Sequence, residues 1–565
     1  MRSVWLAALV VAVLPGWAPA EPPESASLLL TGGRIWTGNP AQPWAEAVAV
    51  AGERVLAVGS KRDVVARSGA GAKRIDLAGR FAMPGINDAH IHFLRGCSRL
   101  SQVDLNGAES LGEMQRRVLQ YAKEHPATSP EDTWIQGYGW QYSALPGQRL
   151  PLRQDLDAVV ADRPVYLAAY DGHTGWANSK ALALAGVDRE TAYSGWGEIV
   201  HDAGSAEPSG VFKEQAQRLV TDKIPAPPRE AQLAALRRGL AMAASLGITS
   251  IQNAHGTPEE VDLFREARDR GELTLRVGVA QTLRPPVTPK QVEDIRSLAD
   301  RYRSGMLRVG AVKLVVDGVI ETHTALLLAP YSDEPSTKGL PAWTQDHLND
   351  VVAWIDRAGL QIYVHAIGDA AVRVTLDAYE QAQRVNGRRD ARHRVEHIET
   401  VDAQDVPRFQ KLGALASMMP IHADPGGVDV WALAIGPERT SRGFAWRWLE
   451  TAGAYLVFGS DWPSTLTVDP WRGLHCAVNR QTAEGAPPGG WVPEHRVSVE
   501  KALAAYTRAG AYAEFQEKEK GVLAPGLLAD LVVLNANPFE LAPKDLHTLR
   551  AQMTLVGGRV VYEAK

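Results

Sequence analysis

The sequence predicts an α/β protein: a (β/α)8 barrel of TIM type, a small β-sandwich domain built from both chain ends, and an insertion after barrel strand 1. Three observations predict it. The middle of the 565-residue chain alternates short apolar runs with helical patterns, the signature of βα units around a parallel sheet. Both ends carry a different texture, short strand-like pieces punctuated by turns. About 160 residues separate the first two central strands, whereas a βα connection needs roughly 2–6.

Residues 1–20 read as a secretory signal peptide. Met1-Arg2 supplies the charge, Trp5 to Leu14 the apolar stretch, and Ala18-Pro19-Ala20 the small-residue cleavage site. The mature protein is therefore expected to be exported, periplasmic or secreted. No later apolar run approaches the roughly 20 residues that span a bilayer, so no stable membrane insertion is expected after cleavage.

Residues 26–81 and 519–565 form the expected composite sandwich. At the N-terminal end Leu28 to Trp36, Ala47 to Gly52, Arg54 to Gly59 and Arg74 to Ala78 read as strands, with a hairpin turn at Gly52-Glu53-Arg54. At the other end Ala529 to Leu534 and Met553 to Tyr562 match them, and Gly32-Gly-Arg-Ile-Trp36 echoes Gly557-Gly-Arg-Val-Val561.

Residues 82–518 hold the barrel, with the insertion at about 100–225. Its expected strands are Phe81 to Ile86, Ile248 to Ile251, Leu273 to Val279, Val309 to Val316, Gln361 to Val364, Arg394 to Glu396, Ala414 to Met418 and Tyr455 to Phe458. One connecting helix has Asp369 as its expected N-cap, followed by Val372, Leu376 and Tyr379 at helical spacing.

A net charge of -5 with scattered lysine and arginine argues against nucleic acid as a partner and leaves a small molecule. Two cysteines, Cys97 and Cys476, do not make a disulfide framework and read as free buried thiols.

In a TIM barrel, functional groups gather just past the C-terminal ends of strands. His90 and His92 end the first strand, and on extended backbone i and i+2 share a face. Lys313 sits inside the fourth, among Val312, Leu314, Val315 and Val316. His365 ends the fifth, His397 the sixth, and Asp461 follows the eighth. Each histidine alone is as readily a hydrogen-bonded structural residue, and Asp461 alone a turn cap. A lysine in that apolar setting must be paired, deprotonated or chemically modified. Their convergence on one rim points to a metal centre.

These segments resemble the amidohydrolase superfamily, in its family 3 branch of YtcJ-like and N-substituted formamide deformylase-like proteins. The resemblance spans nearly the whole mature chain. It is carried by Pro84-Gly-Ile-Asn-Asp-Ala-His-Ile-His92, Asp171-Gly-His-Thr-Gly-Trp-Ala-Asn178, Lys313-Leu-Val-Val-Asp-Gly318, His365-Ala-Ile-Gly-Asp369, Glu396-His397, Gly459-Ser-Asp-Trp-Pro463 and Gly521 to Leu534.

The resemblance implies a distorted barrel metallo-hydrolase with two divalent ions, usually zinc. His90 and His92 would bind the buried ion, His365 and His397 the outer one, and a carboxylated Lys313 would bridge them. Asp461 would ligate the buried ion and carry the proton, while a metal-activated hydroxide attacks the substrate. His173 is the best donor to the developing oxyanion. Tyr138, Trp140 and Trp176 are candidate substrate contacts from the insertion, or packing residues of its core. Many relatives carry a small-residue turn and an arginine after the Asp-Gly pair. Here Asp317-Gly-Val-Ile-Glu321-Thr-His323 stands instead, so Glu321 and His323 become candidate substrate contacts. His422 and Arg442 are further candidate lining residues, each more readily structural than functional.

The function this implies is hydrolysis of a non-peptide C–N bond in an amide, formamide or cyclic amide. Alternatives are ester or dipeptide hydrolysis on the same site, a mononuclear enzyme with unmodified Lys313, and a non-catalytic binding relative. A homodimer is compatible with the sequence.

Overall fold

The computed structural model describes residues 25–127, 133–145, 149–465 and 467–565. The signal peptide expected at 1–20 lies outside the described residues.

Eight parallel strands make the barrel: β1 (Ile86–Ile91), β2 (Ile248–Gly256), β3 (Arg276–Thr282), β4 (Leu307–Val315), β5 (Gln361–Ala366), β6 (Arg394–His397), β7 (Leu415–Met418) and β8 (Tyr455–Phe458). Each pairs with the next in chain order, so sequential βα units wind round one axis. β5 is buried at every position, as expected of a strand covered on both faces. The seam between β8 and β1 closes at the C-terminal end. There Asp461 N–H donates to the His90 carbonyl at 2.7 Å, and His92 N–H donates to that of Trp462 at 2.8 Å. Gly459 permits this approach, since a Cβ there would lie 2.5 Å from the His90 backbone nitrogen.

The first strand differs from its expected bounds. Phe81–Pro84 belongs to the sandwich, pairing antiparallel with Leu531–Leu534, and the barrel strand begins only after Gly85. At Gly85 a Cβ would lie 2.2 Å from Thr249, so this glycine passes the chain from one sheet to the other against β2. The N-cap of the helix Asp369–Asn386 is Gly368 rather than Asp369. The Asp369 carboxylate instead accepts the Leu328 N–H at 2.9 Å, while Val372, Leu376 and Tyr379 pack inward as expected.

Both chain ends contribute to the sandwich core. Leu28, Leu30, Val48 and Val50 pack against Leu523, Leu531, Val533 and Leu555. Arg276 of β3 joins the sandwich to the barrel. It makes a buried two-point ion pair with Asp530, at 2.7 and 3.0 Å, and Asp530 also accepts the Gly557 N–H. The insertion builds its own six-stranded sheet over the barrel mouth, from Val103–Asp104 through Gly197–His201 and Pro208–Glu214. Cys97 and Cys476 are free and buried. Among the described residues no helix is long and apolar enough to cross a membrane.

Candidate metal centre

The barrel interior is polar beneath the site. Arg394 is fully buried; its guanidinium donates to Glu396 at 2.7 Å and lies 3.7 Å over the Tyr363 ring. The other Glu396 oxygen faces His90 Nδ1 at 2.6 Å. Burial opposes charge on Glu396, but Arg394 and His90 outweigh it and hold the carboxyl well below its usual range. An ionised Glu396 must accept, so His90 Nδ1 carries the proton and Nε2 presents its lone pair.

That lone pair points at the cluster. Lys313 Nζ lies 3.4 Å from His90 Nε2, and Asp461 Oδ1 lies 3.5 Å from it. His92 Nε2 is 3.0 Å from the same Asp461 oxygen. His397 stands edge-on to His90 and to His365, with ring centroids 5.0 and 4.4 Å away. Burial pushes the imidazole pKa of His90 down to about 4, and those of His92, His365 and His397 down as well. The four rings are therefore neutral near pH 7, the form that ligates metals. Burial also pulls the Lys313 ammonium down to about 8.

His90, His397 and Asp461 each offer a ligand atom, all within 4.8 Å of one another. Both ring nitrogens of buried His397 lack any hydrogen-bond partner, and Asp461 Oδ1 meets only the ring nitrogens of His92 and His90, at 3.0 and 3.5 Å. Unsatisfied buried polar atoms are costly, and here they converge on one point. Asp461 and His397 also hold positive φ angles, 57° and 76°, backbone strain of the kind stored at functional sites. The donor set fits a divalent cation.

A cavity of about 580 Å³ opens from this cluster. His92, Lys313, His365, His397 and Asp461 line its floor. His173 and Glu321 line its wall, where Glu321 accepts from Tyr170 Oη at 3.2 Å. His173 Nδ1 donates to Glu214 at 2.8 Å; burial works against its charge, but Glu214 prevails and lifts its pKa to about 9.

The other aromatic candidates are not brought there. Trp140 and Trp176 are fully buried in the insertion core, their indole N–H groups donating to Leu167 and Leu152 carbonyls. Tyr138 packs in the same domain beneath the Arg99 guanidinium. These side chains face into the insertion's layers, and Tyr166, Tyr170 and Trp196 line the cavity instead. His323 turns away to pair with Asp333 at 2.9 Å. Arg442 is held by Val401, Asp402 and Glu438, outside the lining.

Two site residues, Glu396 and His255, carried no role in the sequence reading, and a third, His422, was only a candidate for the lining. Glu396 orients His90 across 306 positions of sequence, a relation that no local pattern reveals. His255 lies 5.8 Å, ring to ring, from His92; β2 runs to Gly256, and ending it at Ile251 hid a histidine at a strand end. His422 does line the cavity and contacts Asp461 Oδ2 at 3.1 Å.

The chain matches the model of the Amidohydrolase family over residues 73–562. It is 31% identical to Protein LONG AFTER FAR-RED 3 of Arabidopsis thaliana, over 95% of this chain and 92% of that one. It is 27% identical to the N-substituted formamide deformylase of Arthrobacter pascens, over 95% and 98%. The solved structure of a metal-dependent hydrolase from Pyrococcus furiosus superimposes with a TM-score of 0.70 at 28% identity, covering 91% of this chain and 99% of that one. The chain belongs to the amidohydrolase family.

Proposed function

We propose that this protein is an exported hydrolase of a non-peptide C–N bond in an amide, formamide or cyclic amide, working with two divalent ions, zinc by preference. The observation that carries this reading is the buried convergence of His90, His397 and Asp461, with unpartnered ligand atoms beside Lys313. The similarity to a formamide deformylase favours the C–N bond, and the N-terminal sequence favours export.

His90, His92 and Asp461 would hold one ion and His365 and His397 the other. Lys313 would bridge them as a carbamate: its neutral amine attacks CO₂, forms the N–C bond and releases one proton. That converts an awkward buried cation into an anionic ligand. When bound, the ions supply acidified water and polarise a carbonyl.

Asp461 takes the proton from the attacking water and returns it to the departing nitrogen. His422, at 3.1 Å from Oδ2, keeps that carboxylate turned toward the cavity floor. His173, held protonated by Glu214, donates to the oxygen on which charge develops. His365, His397 and Asp461 are themselves buried, which strengthens their electrostatic interactions.

The test is turnover by metal-loaded protein of a panel of amides, N-formyl amines, lactams, dipeptides and esters, with Asp461→Asn in parallel. Cleavage of the C–N substrates, lost in Asp461→Asn, is expected. Cleavage of esters or dipeptides alone, or kcat within a few-fold of wild type in Asp461→Asn, overturns the reading.

A further inference from the structure

The helix Phe93–Arg99 begins directly at His92, so the face that carries His92 toward the metal cluster also carries Arg95 and Arg99. Arg95 lies within one helical turn of His92 and Arg99 within two, about 5 and 10 Å along the axis. Both line the same cavity as the ligands.

Neither makes a direct ion pair. Among the described residues no carboxylate lies within ion-pair distance of Arg95 or Arg99, whereas fully buried Arg394 has Glu396 at 2.7 Å. Arg99 is only 4% exposed; Nη1 donates to the Pro463 carbonyl, the guanidinium sits 4.8 Å over Tyr138, and buried Nη2 has no hydrogen-bond partner. A buried guanidinium with an idle N–H group is costly, and a ligand anion would satisfy it.

The insertion is shaped around Arg95. A Cβ at Gly172 would fall 2.3 Å from Arg95 Nη2, and Gly172 has φ +79°, so this glycine lets the loop lie against the guanidinium. The nearby acids are already engaged. Asp171 accepts from Tyr142 and from the His173 backbone, and Glu214 is taken by His173 and Thr324. Asp171 thus acts on both guanidinium groups only through space, and their N–H groups are left without a carboxylate to bind.

We propose that the cavity selects substrates bearing a carboxylate, which Arg95 and Arg99 bind while the scissile C–N bond lies over the His90–His397–Asp461 cluster. Two guanidinium groups on one helix face suit a planar carboxylate, which accepts paired N–H bonds. A volume of about 580 Å³ takes a molecule the size of an N-acyl amino acid. The bond cleaved rests on the hydrolase reading above; the anion site does not.

The test compares N-acetylphenylalanine and N-formylphenylalanine with their uncharged carboxamides on the metal-loaded protein, with calorimetric binding measured beside turnover. The expected result is at least a tenfold advantage in kcat/KM for the carboxylates, expressed mainly in KM. Arg95→Gln should shrink that ratio at least tenfold, Arg95→Lys should restore part of it, and metal content is measured in each. Equal or better use of the carboxamides by wild type, or an unchanged ratio in Arg95→Gln, overturns the proposal. If neither series is cleaved, carboxylate binding that depends on Arg95 upholds the anion site while the C–N reading fails. Absence of such binding overturns the anion site, even where carboxamides are cleaved.

Discussion

Glu396 accepts the Nδ1–H of His90 at 2.6 Å, with both side chains fully buried and Arg394 holding the other carboxylate oxygen. The bond fixes which imidazole nitrogen faces the cluster, so the metal-binding lone pair is set from below by a residue that is not itself one of the proposed ligands.

Glu396→Gln should therefore lower divalent metal affinity by about 10- to 100-fold, the usual effect of removing such an orienting carboxylate. It also leaves Arg394 without its counter-charge, so the melting temperature should fall. A metal titration of the folded variant checks this, and wild-type affinity would assign Glu396 a purely structural role.

The buried Arg276–Asp530 pair should tie the stability of the sandwich to that of the barrel. Arg276→Met leaves Asp530 with the Gly557 N–H bond and no ion pair, and should cost about 3–5 kcal/mol in denaturant unfolding. The double variant Arg276→Met/Asp530→Leu should recover much of this, because no charge is then left buried alone.

Acid should weaken the junction of the helix Gln345–Arg357 with β6 through Asp356. Burial alone would raise its pKa, but His393, Asn386 and Arg389 outweigh that and bring it from 3.8 to about 2. A folded-state pKa below the unfolded one gives stability that is complete above about pH 4 and lost as pH falls toward 2. Wild type should lose stability across that window relative to Asp356→Asn. Parallel pH profiles of unfolding free energy for the two proteins would contradict it.

What was legible in the sequence was whatever local pattern encodes. Apolar runs alternating with helices located seven of the eight barrel strands, the first being placed instead on Phe81–Pro84 of the sandwich, and the strand-end rule then named His90, His92, Lys313, His365, His397 and Asp461, which the fold gathers at one cavity floor with His90 buried just beneath it. Pairing partners are not local. Nothing in Phe81–Pro84 says that it prefers Leu531–Leu534 to β2, and nothing near His90 points to Glu396. The aromatic residues failed for a related reason. Tyr138 and Trp140 stand two apart on one strand of the insertion sheet and would share a face, but an irregularity between them puts Tyr138 in one core layer and Trp140 with Trp176 in the other, which the alternating pattern does not show. Nothing in the sequence singled out Arg95 and Arg99, because the absence of an acid paired with them is a property of the fold alone.

The central claim is that Lys313 bridges two ions in the cluster formed by His90, His92, His365, His397 and Asp461. The most direct measurement is metal content per chain in wild type and in Lys313→Ala, the latter with and without short-chain carboxylic acids. The account predicts about two ions in wild type, loss of metal in the variant, and partial return of metal and turnover when an added carboxylate occupies the vacated position. Full metal content in Lys313→Ala without rescue agent would contradict it.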